Sequence, residues 1–272
     1  MMPSSKKRKV LITGAGGALG SLLVRAFRDR YQLRVATRER RDDDLFEGLE
    51  AHYASLADLE TMEVLCSGID TVVHLGGRSL EDSWDEIRTS NIEGTYCVFE
   101  AARRQAVRRV VYASSHHVGG FLPRARITSA GDELRPDGLY AVSKVFGEAL
   151  GRLYADKHGL SVICQRIGVC RTAPPHRRSL WSWLSEPDFI HLTERCIEAE
   201  GVHFHVVYGV SNNTRKQWDD AGARAIGFFP NDDAERFVPQ MQGHLDEPAF
   251  EARFQGGGFC ADGFDGDPIR LD

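Results

Sequence analysis

The stretch that most constrains this chain is KVLITGAGGALG, residues 9–20. A short apolar run stops abruptly at Gly14, and Leu19, Leu22, Leu23, Ala26 and Phe27 then recur at helical spacing. The glycines therefore join a strand to a helix. Gly14, Gly17 and Gly20 leave the N–H groups and positive dipole end of that helix open to an anion, and their missing side chains let a phosphate approach closely. Such a turn is a weak sign by itself and gains meaning only from the rest of the chain.

Beyond the turn, strands and helices alternate. LRVAT (33–37), TVVHL (71–75), RRVVYASS (108–115), SVICQRIG (161–168) and VHFHVVYGV (202–210) read as further strands. Between them lie helical patterns, one with Ile92, Thr95, Tyr96, Phe99 and Ala102 on a single face. Buried runs alternating with amphipathic helices indicate an α/β fold, a doubly wound parallel sheet of Rossmann type. Residues 1–170 form the expected dinucleotide-binding core. After about residue 170 the rhythm breaks into proline-punctuated, aromatic sequence, and 171–272 reads as a small C-terminal substrate-covering region interleaved with the last strand, not an independent domain. The glycine-rich, acidic stretch from Gly256 onward is expected to be a loosely ordered arm.

Charge and composition remove several function classes. A formal net charge of −5 argues against nucleic acid as a partner, and no apolar stretch is long enough to span a membrane. Cys66, Cys97, Cys164, Cys170, Cys196 and Cys260 lack C-x-x-C spacing and read as reduced, buried thiols of a cytoplasmic protein. The opening MMPSSKKRKV has no signal-peptide core and is read as a solvated basic lead-in. No metal site is expected, since His116 and His117 have no partner cluster at ligand spacing. His203 and His205 read as a solvated sheet face, and Trp181 and Trp183 as packing.

PDGLYAVSKVFGE (136–148) places Tyr140 one helical turn before Lys144. On this helix Val142, Val145, Phe146, Ala149, Leu150 and Leu153 read as the core stripe, with Tyr140 and Lys144 off it. A phenol is a poor base near neutrality, and an adjacent ammonium stabilises its anion and brings its pKa toward the range where general-base catalysis works.

TGAGGALG, YASS and YAVSK together resemble the extended branch of the short-chain dehydrogenases/reductases. The resemblance implies Ser115, Tyr140 and Lys144 as a catalytic triad, with Asn91 supporting the lysine. It implies cofactor contacts at Gly14, Gly17, Ala18, Leu19, Gly20, Thr37, Arg38, Ser55, Leu56, Leu75, Gly76, Gly77, Asn91, Tyr140, Lys144 and Ile167. HLGGRSLEDSWDEI, ASSHHVGGFLP, RPDGLYAVSK, RIGVC and RFQGG further resemble uronate dehydrogenases, which oxidise the C1 hydroxyl of a cyclic sugar acid to a lactone. By that resemblance Ser79, Ser115, His116, His117, Tyr140 and Val169 line the sugar, and Arg178 holds its carboxylate, a task suited to a planar guanidinium. Two positions depart from the family: His116 stands where it usually has asparagine, and Val169 where it has serine. The family also implies a homo-oligomer.

The cofactor is expected to be NADP or NAD. The family has an aspartate after the second strand; here Thr37 and Arg38 stand there, with Arg40 and Arg41 behind, and Ser55 replaces a further aspartate. Losing the carboxylate removes repulsion of a 2′-phosphate, and Arg38 can pair with it. Alternative readings are a C1 dehydrogenase of a neutral aldose or of a sugar phosphate, which His176 and Arg177 would tolerate, or a nucleotide-sugar epimerase/dehydratase. A non-catalytic dinucleotide-binding protein fits least.

Overall fold

Val10, Leu11 and Ile12 are fully withdrawn from solvent, as an apolar run in the middle of a parallel sheet must be. They form β1 (Lys9–Thr13) in a computed structural model that describes residues 7–40, 43–241 and 247–271. Lys6 of the basic lead-in, and Arg41, lie outside the described residues. With β2 (Gln32–Thr37), β3 (Glu50–Tyr53), β4 (Thr71–His74), β5 (Arg109–Ser115), β6 (Ser161–Ile167) and a later strand, β9 (Phe204–Gly209), it makes a seven-stranded sheet of order β3-β2-β1-β4-β5-β6-β9. The pairings from β3 through β2, β1 and β4 to β5 are parallel. Two short strands, β7 (Val169–Cys170) and β8 (Trp183–Leu184), pair separately.

The helices are α1 (Ala18–Phe27), α2 (Leu59–Cys66), α3 (Trp84–Ile87), α4 (Gly94–Arg104), α5 (Leu139–His158), α6 (Ser179–Ser182) and α7 (Glu186–Glu198), with shorter turns after them. This is the expected α/β architecture, and each expected strand appears within about two residues of its place. Strand β3 and helix α2 have no counterpart in the sequence pattern. β3 is an edge strand with no buried residue, so it carries no apolar alternation to show.

By compactness the chain divides into two units. One comprises Met1–Ala113, Gly147–Ile163 and Glu200–Phe204; the other comprises Ser114–Phe146, Cys164–Ala199 and His205–Asp272. In the first, strand order reverses between β1 and β4, and Thr13 is in register with Ala36 on one side and His74 on the other. The carboxyl ends of β1, β2 and β4 therefore emerge together at a topological switch point, the usual ligand crevice of such sheets. The core of the second unit includes Trp181, Tyr208, Val210 and Trp218.

Three expectations are corrected. On α5 the apolar stripe is not the core face: Val142 and Leu153 are exposed, while Tyr140, Ala141, Ser143, Lys144, Gly147 and Glu148 are buried. Gly147 explains part of this, since a methyl group there would collide with the Tyr112 ring. Helical period shows that a face is apolar, not what covers it. On α4, Tyr96 is likewise exposed although Thr95, Phe99 and Ala102 are buried. The start of the stretch from Gly256 onward is not a loose arm: Cys260 is nearly fully buried and Gly256 N–H donates to Gly120 O at 2.8 Å, whereas residues 265–270 are exposed.

Candidate active site

In the first unit, the turn after β1 is built by its glycines. Gly14 has φ +69°, a conformation costly for other residues, and an added Cβ would lie 2.7 Å from Gly76 N. A Cβ on Gly20 would collide with Gly14 O and stand 2.6 Å from Ala15 Cα. Gly17 is the N-cap of α1 and supplies no side-chain hydrogen bond, and no acidic residue occupies the first turn. Helix-end N–H groups at Ala18 and Leu19 are thus left to a ligand, which suits a pyrophosphate. These features fit a dinucleotide.

The neighbouring strand ends hold the other expected cofactor residues. Gly76 packs so closely on Leu56 that a Cβ would meet the Leu56 side chain, and Gly77 has φ +132°. Asn91, in a π-helical turn (Arg88–Glu93), clamps this loop: Oδ1 accepts from Arg78 N at 2.7 Å and Nδ2 donates to Arg78 O at 3.1 Å. Leu75 is half-buried and Ser79 exposed. Thr37 ends β2; Arg38 is exposed and donates to Glu39 Oε1 from Nε and Nη2 at 3.2 and 3.0 Å. Ser55 is exposed, its hydroxyl accepting from Ala57 N at 3.3 Å.

In the second unit, β5 ends in Ser115, and the first and second turns of α5 carry Tyr140 and Lys144. Tyr140 is hydrogen-bonded to Ser115, and the Lys144 ammonium lies 5.5 Å from the phenol ring centroid. Burial pushes the phenol up to about 12, against a smaller lowering by Ser115. Burial also lowers the Lys144 ammonium to about 8. The expected pull of the ammonium on the phenol is therefore outweighed here by desolvation, which acts against charge on both groups.

His117 packs beside Tyr140, ring centroids 6.4 Å apart, and its Nδ1 is 2.6 Å from Asp137 Oδ2. Burial, reinforced by the Arg178 charge, lowers the imidazole to about 3, while burial raises Asp137 to about 7. His116 is fully buried: its Nδ1 pairs with Ile167 O at 3.1 Å, and its ring packs against Trp181 and Trp218. Burial holds its pKa well below the ordinary histidine value.

Arg178 is half-buried, and desolvation lowers its pKa. Its Nη1 donates to Gly256 O at 2.7 Å, and no carboxylate among the described residues pairs with it. Spare guanidinium donors in a partly desolvated place suit an incoming carboxylate. Val169 is half-buried on β7.

Asp137, which meets His117, and Gly256, whose carbonyl accepts from Arg178, lie in RPDGLYAVSK and RFQGG, but the sequence pattern gives neither residue a role. Asp137 sits in RPDGLY, yet its partner is 20 residues away and no local spacing links them. Trp181 and Trp183 are buried packing residues, and all six cysteines are buried and outside any disulfide. His203 is exposed and bonds Asp156, while His205 is half-buried and bonds Gly222 O. No metal-binding cluster and no helix long and apolar enough to cross a membrane occur among the described residues.

Residues 10–170 match the family model described as NAD dependent epimerase/dehydratase family. A uronate dehydrogenase of Pseudomonas syringae pv. tomato is 36% identical over 264 residues, 95% of each chain. An NAD-dependent glucose-6-phosphate dehydrogenase of Haloferax volcanii is 36% identical over 250 residues, covering 84% of this chain and 95% of the relative. The crystal structure of a uronate dehydrogenase mutant from Agrobacterium tumefaciens, complexed with NAD, superposes with a TM-score of 0.88 at 36% identity, covering 93% of this chain and 97% of the other.

Proposed function

We infer, because the chain belongs to the NAD dependent epimerase/dehydratase family, that it is a dehydrogenase oxidising the C1 hydroxyl of a cyclic uronate to the lactone. The observation that carries the chemistry is the buried Tyr140 phenol, hydrogen-bonded to Ser115 and lying over Lys144. As its phenolate, the Tyr140 oxygen takes the proton of the C1 hydroxyl while the C1–H leaves as hydride and the C1–O double bond forms. The Ser115 hydroxyl orients that substrate oxygen, and the Lys144 ammonium stabilises the Tyr140 phenolate that must form before the proton is taken. A bound nicotinamide dinucleotide supplies the hydride acceptor. The glycine turn and the α1 N-terminus would hold its pyrophosphate, with Thr37 and Arg38 near the adenosine ribose. Asn91 sets the loop after β4. Arg178 receives the substrate carboxylate, while Ser79, His116, His117 and Val169 complete the sugar contacts.

NADP use, alone or beside NAD, belongs to the same proposal. The exposed Arg38–Glu39 pair is worth about 0–1 kcal/mol, so a 2′-phosphate can displace Glu39. Arg38→Ala should then raise KM for NADP about ten- to a hundredfold and leave NAD nearly unchanged. Self-association is supported by Leu139, Val142 and Leu153, exposed at helical spacing on α5. Six buried thiols outside any disulfide fit a reducing cytoplasm. The test of the function is absorbance at the reduced-nicotinamide band with glucuronate, galacturonate, glucose and glucose 6-phosphate, each with NAD and NADP. Turnover favouring the uronates is expected; preference for glucose or its phosphate over every uronate overturns the substrate assignment.

A further inference from the structure

Asp137 lies two residues before α5, and its side chain is completely withdrawn from solvent. A carboxylate there gives up its hydration and recovers little. Oδ1 has no hydrogen-bonding side chain among the described residues, and the one side chain that Oδ2 meets is His117, at Nδ1 2.6 Å away; the residue's own N–H and the Arg178 charge favour the carboxylate without outweighing burial. The backbone makes room for this arrangement: a methyl group at either Gly120 or Gly256 would collide with Oδ2. Those two glycines do not solvate the carboxylate. The Gly256 N–H donates to Gly120 O at 2.8 Å, and the Gly120 N–H to His117 O at 3.0 Å. A buried acid retained for one partner points to that partner as its purpose.

We propose that Asp137 is a positioning residue for His117: it accepts the Nδ1 proton, fixes the imidazole as the Nδ1–H tautomer, and leaves Nε2 as a lone pair for a substrate hydroxyl. The proposal rests on the dehydrogenase reading above. Which ring nitrogen carries the proton is decided by the hydrogen bond the other makes. Rotation of the ring is blocked on two sides, by Phe259 and by His116, each with its ring centroid 4.2 Å away. Burial disfavours the imidazolium, so the pair is not a salt bridge, and above about pH 7 it is a carboxylate with a neutral imidazole. A bare Nε2 accepts from a hydroxyl and is repelled by a carbonyl or fluorine lone pair at the same place. Asp137 thereby selects for a ring hydroxyl on the substrate without touching it. The glycines of the GGG run at 256–258 matter for the same reason, because Gly256 walls Asp137 and its carbonyl takes a guanidinium N–H of Arg178.

The test is a long-range 1H–15N spectrum of histidine-labelled protein at about pH 8, with the His117 signals assigned by their loss in His117→Gln. The wild type should show the Nδ1–H tautomer alone. Asp137→Ala should shift His117 toward Nε2–H and cut kcat/KM for a uronate about ten- to a hundredfold, mostly through KM. Asp137→Asn, which keeps an accepting oxygen, should hold the wild-type tautomer and rescue most of the activity. A wild-type Nε2–H or doubly protonated His117 overturns the proposal, as does an Asp137→Ala spectrum unchanged from wild type. Should Asp137→Ala fail to fold, the wild-type spectrum still decides. The spectrum needs no substrate, so failure to turn over uronates would defeat the functional reading while leaving the tautomer result standing by itself.

Discussion

Lys144→Met should make the protein more stable and nearly inactive. Lys144 is 6% exposed, and burial alone lowers its ammonium from 10.5 to about 8. At about 1.4 kcal/mol per pH unit this corresponds to about 3 kcal/mol favouring the unfolded chain near neutral pH. Part of that is offset by attraction to the Tyr140 ring 5.5 Å away, a contact worth about 1–2 kcal/mol when desolvated. Methionine keeps the volume and removes the charge. The net expectation is a gain of about 1–2 kcal/mol, or about 2–8 °C in Tm for a chain of this size. The pH dependence fixes the sign. The folded pKa lies below the unfolded one, so the penalty is complete below about 8 and disappears as pH rises toward 10.5. Scanning calorimetry of cofactor-free protein at about pH 7 and about pH 10 should show the variant's advantage shrinking at the higher pH. Melting below wild type at neutral pH, or an advantage independent of pH, would overturn this expectation.

Other perturbations read other parts of the site. Gly20→Ala must push α1 from the glycine turn, at about 1–3 kcal/mol; calorimetric titration should show NAD binding weakened at least about tenfold. Arg178→Ala should lower kcat/KM for glucuronate about ten- to a hundredfold while a neutral aldose is little affected; equal losses on both would mean the guanidinium does not read a carboxylate. Val169→Ser restores a hydroxyl at a half-buried position and should raise uronate kcat/KM by up to about tenfold, about one hydrogen bond, in initial-rate assays.

Much of the fold is legible in the sequence because its central strands are buried on both faces and bounded by glycine or polar turns, as Val10–Ile12 and Thr71–His74 are. β3 gives no such signal because Glu50, Ala51, His52 and Tyr53 bury no side chain fully. Helix α5 misleads for a different reason. Apolar residues of its stripe, Val142 and Leu153, point outward, while Tyr140, Ser143, Lys144 and Gly147 are buried; catalysis needs polar groups inside, and periodicity cannot tell a core from an interface. The turn chemistry around Gly14 and the one-turn spacing of Tyr140 and Lys144 are local and can be read directly. Asp137 against His117, and Arg178 against Gly256, join stretches 20 and 78 residues apart, which only the folded chain brings together.

The functional reading depends most on Tyr140 performing the acid/base step of sugar oxidation. Tyr140→Phe keeps the ring that packs beside His117 and removes only the oxygen bonded to Ser115. Formation of reduced nicotinamide from glucuronate should be followed for wild type and variant, with NAD affinity measured in parallel. The expected outcome is kcat lowered about 10² to 10⁴-fold with cofactor affinity unchanged. A variant retaining a third or more of wild-type turnover would take the acid/base role away from Tyr140.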